Sequence, residues 1–186
     1  MKLNEEKCHL AVVGHKFESV WAQIGDARIW ETNTEKLLGV HIDNQLNFKY
    51  HVNQICLKAR RKLTAPARIS HFLSQEKRRT IAKAFIESQF SYCPLVWMFV
   101  DRTVNSKINR LHERALRMVY YDYKSTFEEL LEKDGSFTIH QRNIQTLAIE
   151  MYKTKINENP GFMKDVFIDR KKENCYTLRS DAIQDF

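Results

Sequence analysis

Residue patterns that could carry catalysis or hold a metal ion are incomplete in this sequence. His112-Glu113 begins like the helical zinc motif HExxH, but Leu116 stands where the second histidine ligand would be. Cys8-His9 has no second pair of ligands at zinc-finger spacing. There is no GxSxG nucleophile motif and no glycine-rich phosphate loop of the GxxxxGK[ST] or GxGxxG kind. We therefore predict no catalytic residue, no metal site and no cofactor in this chain.

The segment Tyr120-Tyr121-Asp122-Tyr123 has a partial likeness to the Tyr-x-Asp-Asp turn of polymerases. Two-metal phosphoryl transfer needs several converging carboxylates, but Tyr123 occupies the position of the second aspartate. The segment also follows a predicted helix rather than joining two strands. We interpret it as the end of a helix.

Positive charge is concentrated in the middle of the chain. Residues 44–124 hold 16 basic and 5 acidic side chains, although the whole chain has a net charge of only +7. Such a block is typical of proteins that bind nucleic acid or an anionic membrane. No apolar run is long enough to span a bilayer, and we expect a DNA or RNA duplex, bound without sequence preference, as the partner. The cations predicted to contact it are Arg60, Arg61, Lys62, Arg78, Arg79, Lys107, Arg110, Arg114 and Arg117.

Several of these cations lie on one predicted amphipathic helix, Ser106–Tyr121. At about 100° per residue, an apolar stripe runs beside a cationic stripe that is about 80° wide. The apolar stripe consists of Ile108, Leu111, Ala115, Met118 and Val119, and the cationic stripe of Lys107, Arg110, Arg114 and Arg117. The alternative interpretation is a solvated helix face, which is the usual role of charged helix faces.

The pattern of apolar residues predicts an α+β chain that is mainly α. Residues 1–43 predict a small antiparallel β-meander, with a strand near residues 8–13, a turn at Gly25-Asp26 and a third strand over residues 37–43. Residues 44–168 predict a helical, thumb-like bundle, and we expect the polar tail 169–186 to be frayed.

Capping signals set the predicted ends of the helices. One helix should run from Asn47 to about Leu63, before a break or bend at Pro66, and a second should run from Ser74 towards Pro94. A capping box at Ser125–Glu128 should open a short helix that Gly135 closes. A second box at Thr138–Gln141 should open a helix over residues 139–155. Its predicted buried stripe is Ile144, Leu147, Ala148, Met151 and Tyr152, and a turn should follow at residues 159–161.

Cysteines and aromatic residues have mainly structural interpretations. The four cysteines (Cys8, Cys56, Cys93 and Cys175) form no CxxC pair, and the N-terminus does not resemble a signal peptide. We therefore expect reduced, buried thiols in an intracellular protein, either nuclear or cytoplasmic. Aromatic side chains between the basic clusters could stack on bases, but core packing is the stronger expectation, and residues 95–100 should be buried. The aromatic residues concerned are Phe72, Phe85, Phe90, Tyr92 and Trp97.

Three longer stretches resemble one protein family. They are KLLGVHIDNQLNFKYHV at 36–52, the segment 68–99 that includes LSQEKRRTIAKAFIESQFSYCPLVWMF, and INRLHERALRMVYYDYKSTFEELLEKDGSFTIHQRNIQTLAIEMYK at 108–153. Together they resemble the region that follows the catalytic palm in RNA-directed DNA polymerases (reverse transcriptases) of jockey-type non-LTR retrotransposons. The resemblance covers about residues 1–180, and none of its motifs is itself catalytic.

The resemblance implies roles for two parts of the chain. A hairpin that closes the palm near the primer 3′ end corresponds to Leu38, Gly39, Val40 and Asp43, with Ile42 between them. The helices that follow correspond to the thumb, which grips the template–primer duplex through its backbone phosphates. In the parent enzyme, the aspartates that bind Mg²⁺ belong to the preceding palm. The resemblance therefore implies a truncated copy of a transposable element without polymerase activity of its own.

A second interpretation belongs to a different functional class. The helical region could be a protein-interaction module without a nucleic-acid role. It would then self-associate through apolar surfaces that the missing palm would otherwise cover.

We predict that the purified chain extends no primer in the presence of Mg²⁺, because its sequence contains no paired metal-binding aspartates. Incorporation of labelled nucleotide on a primed RNA template measures this directly, with an active reverse transcriptase as the positive control. Incorporation above the background of a protein-free reaction would contradict the prediction.

Overall fold

The computed structural model of the chain describes residues 4, 7–14 and 19–167. The chain divides into two units, Met1–Thr146 and Leu147–Phe186. In the first unit, two small antiparallel hairpins are followed by helices that pack around a main core and a smaller apolar cluster between α4 and α5. The predicted class, α+β and mainly α, is confirmed. The predicted polar tail, from residue 169 onward, lies outside the described residues.

Four short strands and seven helices make up the described structure. The strands are β1 (Trp21–Ile24), β2 (Ala27–Trp30), β3 (Thr34–Leu37) and β4 (Val40–Asp43). The helices are α1 (Lys49–Ile69), α2 (Gln75–Phe85), α3 (Pro94–Trp97), α4 (Arg102–Tyr120), α5 (Phe127–Asp134), α6 (Ile139–Lys155) and α7 (Met163–Val166). Two 3₁₀ turns, Ser70–Phe72 and Glu87–Phe90, follow α1 and α2.

The β-region consists of two separate hairpins rather than the predicted meander. Strand β1 pairs with β2 across the predicted turn at Gly25-Asp26, and β3 pairs with β4. The prediction of one strand over residues 37–43 was wrong, because the chain reverses at Leu38-Gly39, where both residues have positive φ angles (47° and 89°). The strand predicted near residues 8–13 is also absent, since this segment forms only one isolated bridge, between Leu10 and Glu31.

Asp43 joins the second hairpin to the first long helix. Its side chain is buried, and its carboxylate accepts backbone N–H bonds from Gln45 (3.1 Å), Asn47 (3.1 Å) and Phe48 (2.8 Å). These donors belong to the loop that leads from β4 into the first residue of α1. The N-cap of α1 is Phe48, which has the left-handed conformation, so the predicted N-cap at Asn47 was wrong by one residue, although the Asn47 side chain accepts the N–H of Lys49. Asp43 therefore fixes the loop between β4 and α1.

His51 forms a second link between β4 and α1. Its ring is buried, and Nδ1 accepts a hydrogen bond from the backbone N–H of His41 at 3.2 Å. Burial, together with the charges of His41 and Lys58, lowers the pKa of His51 to about 4. The ring is consequently neutral near pH 7, as its acceptor role requires.

Helix α1 continues through Pro66 to Ile69, so the predicted end near Leu63 was wrong. Pro66 lies in the last turns of the helix, where its missing N–H removes only one bond, and its ring is buried. Helix α2 has the predicted N-cap, since Ser74 accepts the N–H of Lys77, but it ends at Phe85 and a 3₁₀ turn replaces its predicted continuation.

Helix α4 begins four residues earlier than predicted, with Asp101 as its N-cap. Its predicted apolar stripe is confirmed: Ile108, Ala115, Met118 and Val119 are buried, and Leu111 is half-buried against the core. The helix ends at Tyr120, and Tyr121 adopts the left-handed conformation. The interpretation of residues 120–123 as a helix end is therefore confirmed.

In helices α5 and α6, the predicted capping residues can be compared with the observed ones. The first capping box is Thr126–Glu129, one residue later than predicted, because the Ser125 hydroxyl instead bonds Asp122. Gly135 ends α5 as predicted, and the second capping box and the bounds of α6 are also confirmed. The predicted buried stripe of α6 was wrong, since Ile144, Met151 and Tyr152 are exposed.

The second unit contains the rest of α6 and the short α7. The turn predicted at residues 159–161 is confirmed, since the Pro160 carbonyl accepts the N–H of Met163. The Asn159 amide donates to the Glu150 carbonyl at 3.1 Å, which fixes the turn against α6.

The core of the first unit lies between α1, α4 and the segment that connects α2 to α4. Its fully buried side chains include Val52, Leu63, Ile86, Phe90, Trp97, Ile108 and Val119. Residues 95–100 are buried only in part, because Val96 and Phe99 are exposed. Of the five aromatic residues considered for stacking, Phe90 and Trp97 are core, and Phe72, Phe85 and Tyr92 are exposed.

The three cysteines in the described part of the chain are free thiols. Cys56 is buried as expected, and its burial raises the pKa of the thiol to about 11. Cys93 is exposed, which contradicts the expectation of a buried thiol at that position.

We predict that Asp43→Ala lowers the free energy of unfolding by about 1–2 kcal/mol, because three N–H groups of the loop that leads into α1 lose their acceptor. Urea unfolding followed by circular dichroism measures the change. Asp26→Ala, at the exposed turn of the first hairpin, is the control and should have little effect. Equal stability of the two variants would show that the Asp43 carboxylate does not stabilise this loop.

Candidate nucleic-acid interface

Helices α1 and α4 pack side by side with their N-termini together. Lys49 Nζ lies 2.9 Å from Asp101 Oδ2, which joins the first residue of α1 to the N-cap of α4. One turn further along, Lys107 Nζ donates to Asn53 Oδ1 at 3.0 Å. Because both contacts join early positions in each helix, the two helices run in the same general direction.

Helical periodicity extends this contact into a row of cations. Residues seven apart lie two turns further along nearly the same edge of a helix. Arg60 follows Asn53 by seven residues, and Arg114 follows Lys107 by the same interval. Arg110 lies between Lys107 and Arg114 on that edge of α4. We call Arg60, Lys107, Arg110 and Arg114 the α1–α4 cationic surface.

The charges of this surface are not compensated by nearby acidic residues of the two helices. Helix α1 contains no acidic residue, and Glu113, the one acidic residue of α4, is paired with Arg117. The side chains of Arg60, Arg110 and Arg114 are exposed and have no ion pair with any described residue. Lys107 bonds only a neutral amide, so its charge is also available to an external anion.

A shallow pocket of about 340 Å³ lies along the same edge of α4. Its lining residues are Arg102, Thr103, Ser106, Lys107 and Arg110. Three cations and two hydroxyl side chains, without an acidic residue, are suitable chemistry for one phosphate group. Asp101 lies next to this pocket in sequence, but Lys49 and the N–H of Val104 hold the pKa of its carboxyl below the usual value. The Asp101 charge is therefore balanced by Lys49.

Arg61 and Lys62 are exposed like Arg60 but project from other sides of α1. At about 100° per residue, they lie roughly 100° and 200° around the helix from Arg60. The three consecutive cations therefore do not form one surface. Only Arg60 of this group lies on the edge that carries the contact with Lys107.

Arg78 is buried and has a structural role. Its guanidinium donates to the carbonyl oxygens of Val119 at 2.9 Å and Leu73 at 2.7 Å, and it stacks on the Tyr121 ring at 4.1 Å. Only 8% of the residue is exposed. Helices leave carbonyl groups without partners at their C-terminal ends, and Arg78 satisfies one at the end of α4. Arg78 is therefore not part of the candidate interface.

Arg79 forms an ion pair at the end of α5. Its Nε lies 2.8 Å from the buried carboxylate of Asp134, which also accepts a hydrogen bond from the Tyr120 hydroxyl at 2.7 Å. Burial raises the pKa of the Asp134 carboxyl, but the hydrogen bonds from Tyr120 and Arg79 outweigh it, and the net pKa lies below the usual value. The same carboxylate and burial raise the pKa of Tyr120 to about 12. Arg79 therefore neutralises an internal acid.

Arg117 holds the loop between α4 and α5. Its guanidinium bonds Glu113 Oε1 at 2.6 Å and the backbone carbonyls of Asp122 at 3.1 Å and Ser125 at 3.0 Å. These contacts use both terminal nitrogens of the side chain. The predicted cationic stripe of α4 is therefore reduced to Lys107, Arg110 and Arg114.

The residues predicted for the primer hairpin occupy the turn and second strand of the β3–β4 hairpin. Leu38 is 83% exposed at its tip, while Val40 and Asp43 are buried. The Tyr92 hydroxyl donates to the Leu38 carbonyl at 2.5 Å. Gly39 lies close to the same ring, because a Cβ atom there would be 3.4 Å from Tyr92 Cε1. The hairpin tip is therefore attached to the segment before α3.

The described residues contain no cluster of three or more histidine, cysteine, aspartate or glutamate side chains that could hold a metal ion. Over the same part of the chain, none of the helices combines the length and the apolar composition that a bilayer crossing requires. His112, the first residue of the incomplete HExxH motif, is buried, with its Nε2 3.3 Å from a nitrogen of Arg142. Burial and the charge of Arg142 lower the pKa of His112 to about 4.

Sequence reasoning missed Arg102, which lines the pocket along α4. The predicted helix began at Ser106, so Arg102 lay outside it. Two signals were present: Asp101 is a favourable N-cap residue, and Arg102, Ser106 and Arg110 repeat at intervals of four residues.

We compared the chain with protein-family models, with curated proteins and with solved structures, and none of the three comparisons found a match. The interface is therefore defined only by its residues and their geometry, and the relation to reverse transcriptases stays a prediction.

We predict that Arg78→Met lowers the free energy of unfolding by about 2 kcal/mol or more, because buried carbonyl groups lose their donor. Thermal and urea unfolding measure this change. Lys77→Met, an exposed neighbour on α2, is the matched control and should be nearly neutral. If the two variants unfold alike, the buried guanidinium does not have the structural role assigned to it.

Proposed function

We propose that this chain binds duplex nucleic acid through the sugar–phosphate backbone, with the α1–α4 cationic surface as the contact. The supporting observation is that two adjacent helices carry unpaired cations along one shared edge. Phosphate contacts of this kind supply most of the affinity of nonspecific binding. The role would correspond to that of a thumb in the reverse transcriptases of non-LTR retrotransposons.

The spacing of the cations suits a phosphate backbone. Lys107 and Arg114 are seven residues apart, which is about 10.5 Å along the helix at 1.5 Å per residue. That distance corresponds to about three base-pair steps of 3.4 Å along the axis of a duplex. Arg60 on α1 can contact the same strand or the opposite one.

Such a surface positions a duplex but does not read its sequence. Specific recognition needs side chains that reach base edges in a groove. The side chains of the surface are long, flexible cations, and the lining of the pocket beside them has the charge to attract a phosphate group. We therefore propose binding without sequence preference.

A protein-interaction function is the second candidate. It is favoured by exposed apolar side chains at the tip of the second hairpin, where Leu37 and Leu38 are 60% and 83% exposed. If the chain self-associates through such residues, Leu38→Ser should shift it towards the monomer in sedimentation experiments. Absence of nucleic-acid binding at low salt, together with self-association, would favour this candidate.

The proposed function predicts that Arg110→Gln with Arg114→Gln weakens duplex binding and reduces its salt dependence. Each lost phosphate contact should reduce the slope of log K against log salt concentration by about 1, so the double variant should lose about 2. Fluorescence anisotropy with a labelled duplex, measured at several salt concentrations, gives both quantities. Two duplexes of unrelated sequence should bind with similar affinity.

Arg61→Gln with Lys62→Gln is the matched control, because it removes the same net charge from exposed side chains on other sides of α1. The control should lose less affinity and keep its salt slope. Equal losses in the two double variants would mean that general charge attraction, and not the α1–α4 cationic surface, holds the duplex. Both variants should retain the melting temperature of the unaltered chain.

A further inference from the structure

A second pocket, distinct from the cationic surface, opens between the end of α2, the 3₁₀ turn after it and the first half of α6. Its volume is about 420 Å³, within the range of small-molecule sites. Phe90, Pro94 and Ile139 provide an apolar lining. The polar lining includes Lys83, Glu87, Ser88, Ser91, Arg142 and Asn143.

Asn143 is the unusual residue of this pocket. It is only 5% exposed, yet its side-chain amide makes no hydrogen bond with any described residue. Its amide atoms retain accessible surface, because the pocket opens onto them. Because Asn143 lines the pocket, a bound molecule could supply a hydrogen-bond partner.

The other polar side chains of the pocket are already engaged. Arg142 pairs with Glu87 and also donates to the Phe137 carbonyl, and the hydroxyl groups of Ser88 and Ser91 donate to backbone carbonyls of their own turn. Lys83 is exposed and has no ion pair within the described part of the chain. The groups left for a ligand are therefore the amide of Asn143, which offers a donor and an acceptor side by side, and one free ammonium group.

We propose that this pocket binds an adenine nucleotide. An asparagine amide matches the adenine edge, since its oxygen accepts from N6 and its nitrogen donates to N7. The apolar lining suits a planar base, and Lys83 suits the phosphate group. With Arg142 and Glu87 offsetting each other, the pocket has a net positive charge from Lys83. The nucleotide can be free or an unpaired residue of a strand, since both present the same base and phosphate.

Binding of adenosine monophosphate to the full chain tests the proposal by calorimetry. The titration is made at about 0.3 M salt, where exposed charges are screened beyond roughly 6 Å and the α1–α4 surface contributes little. We expect saturable binding in the micromolar to millimolar range, about tenfold tighter than for the uridine analogue, whose base has no amino group beside an acceptor nitrogen. Absence of saturable binding at millimolar nucleotide overturns the proposal, as does equal binding of inorganic phosphate.

Two variants separate the roles of the polar groups. Asn143→Leu should lower the affinity for adenosine monophosphate about tenfold and remove the base preference. Lys83→Gln should lower the affinity for the nucleotide but not for adenosine, and it remains informative if Asn143→Leu fails to fold, because Lys83 is exposed. Lys77→Gln, an exposed lysine of the same helix outside this pocket, is the control. Equal effects of Lys83→Gln and Lys77→Gln overturn the assignment of Lys83.

Oligothymidylate with and without one internal adenine identifies the source of the nucleotide. Tighter binding of the adenine-containing strand, lost in Lys83→Gln, supports an unpaired residue of a strand. Binding of the free nucleotide alone supports a small-molecule site. Neither result depends on Arg110 or Arg114. Failure of the duplex proposal therefore leaves the nucleotide proposal intact, and failure of the nucleotide proposal leaves the duplex proposal intact.

Discussion

Apolar packing between α1 and α4 is the interaction on which the rest of the first unit depends, because it holds two positively charged helices together. Fully buried side chains on the two helices include Val52, Leu63, Ile108 and Val119, and each contributes about 1.5–3 kcal/mol relative to exposure. Repulsion between two exposed charges amounts to about 1 kcal/mol at 4 Å in water. The core therefore outweighs the repulsion, and the α1–α4 cationic surface can lie along one edge of the helix pair.

Burial and neighbouring groups, rather than residue type, determine what each cation does. Arg78 is surrounded by helix-end carbonyls and an aromatic ring, which satisfy a guanidinium without any carboxylate. Arg79 neutralises the buried Asp134, and Arg117 fixes a loop. Arginine suits such sites because its planar group donates in several directions at once. The same property is available to phosphate at Arg110 and Arg114, whose side chains bond no acceptor among the described residues.

Local sequence signals predicted local structure well, and contacts between distant residues were not predictable. Ser74, Gly135 and the Thr138–Gln141 pair act within one helical turn, so their roles could be predicted from spacing alone. Val119 is 41 residues from Arg78, and nothing in the sequence pairs them. The buried stripe predicted for α6 from apolar periodicity was wrong, because periodicity indicates a face that can be buried and not whether another element covers it. At Leu38-Gly39 the alternation of apolar residues predicted a strand, although two consecutive positive φ angles, the first of them at a leucine, form a turn there.

The attachment of the second hairpin gives the proposed interface a defined end. Asp43 holds the loop before α1 and His51 accepts from β4, so the hairpin is fixed at the N-terminal end of α1. The contacts Lys49–Asp101 and Lys107–Asn53 bring the N-terminal end of α4, with the pocket beside it, to the same place. A duplex lying along the proposed surface would therefore extend from this pocket towards Arg60 and Arg114. Its backbone would be held by side chains on two helices whose relative position is set by the core, so that the hairpin, the pocket and the cations would act on one duplex as a unit.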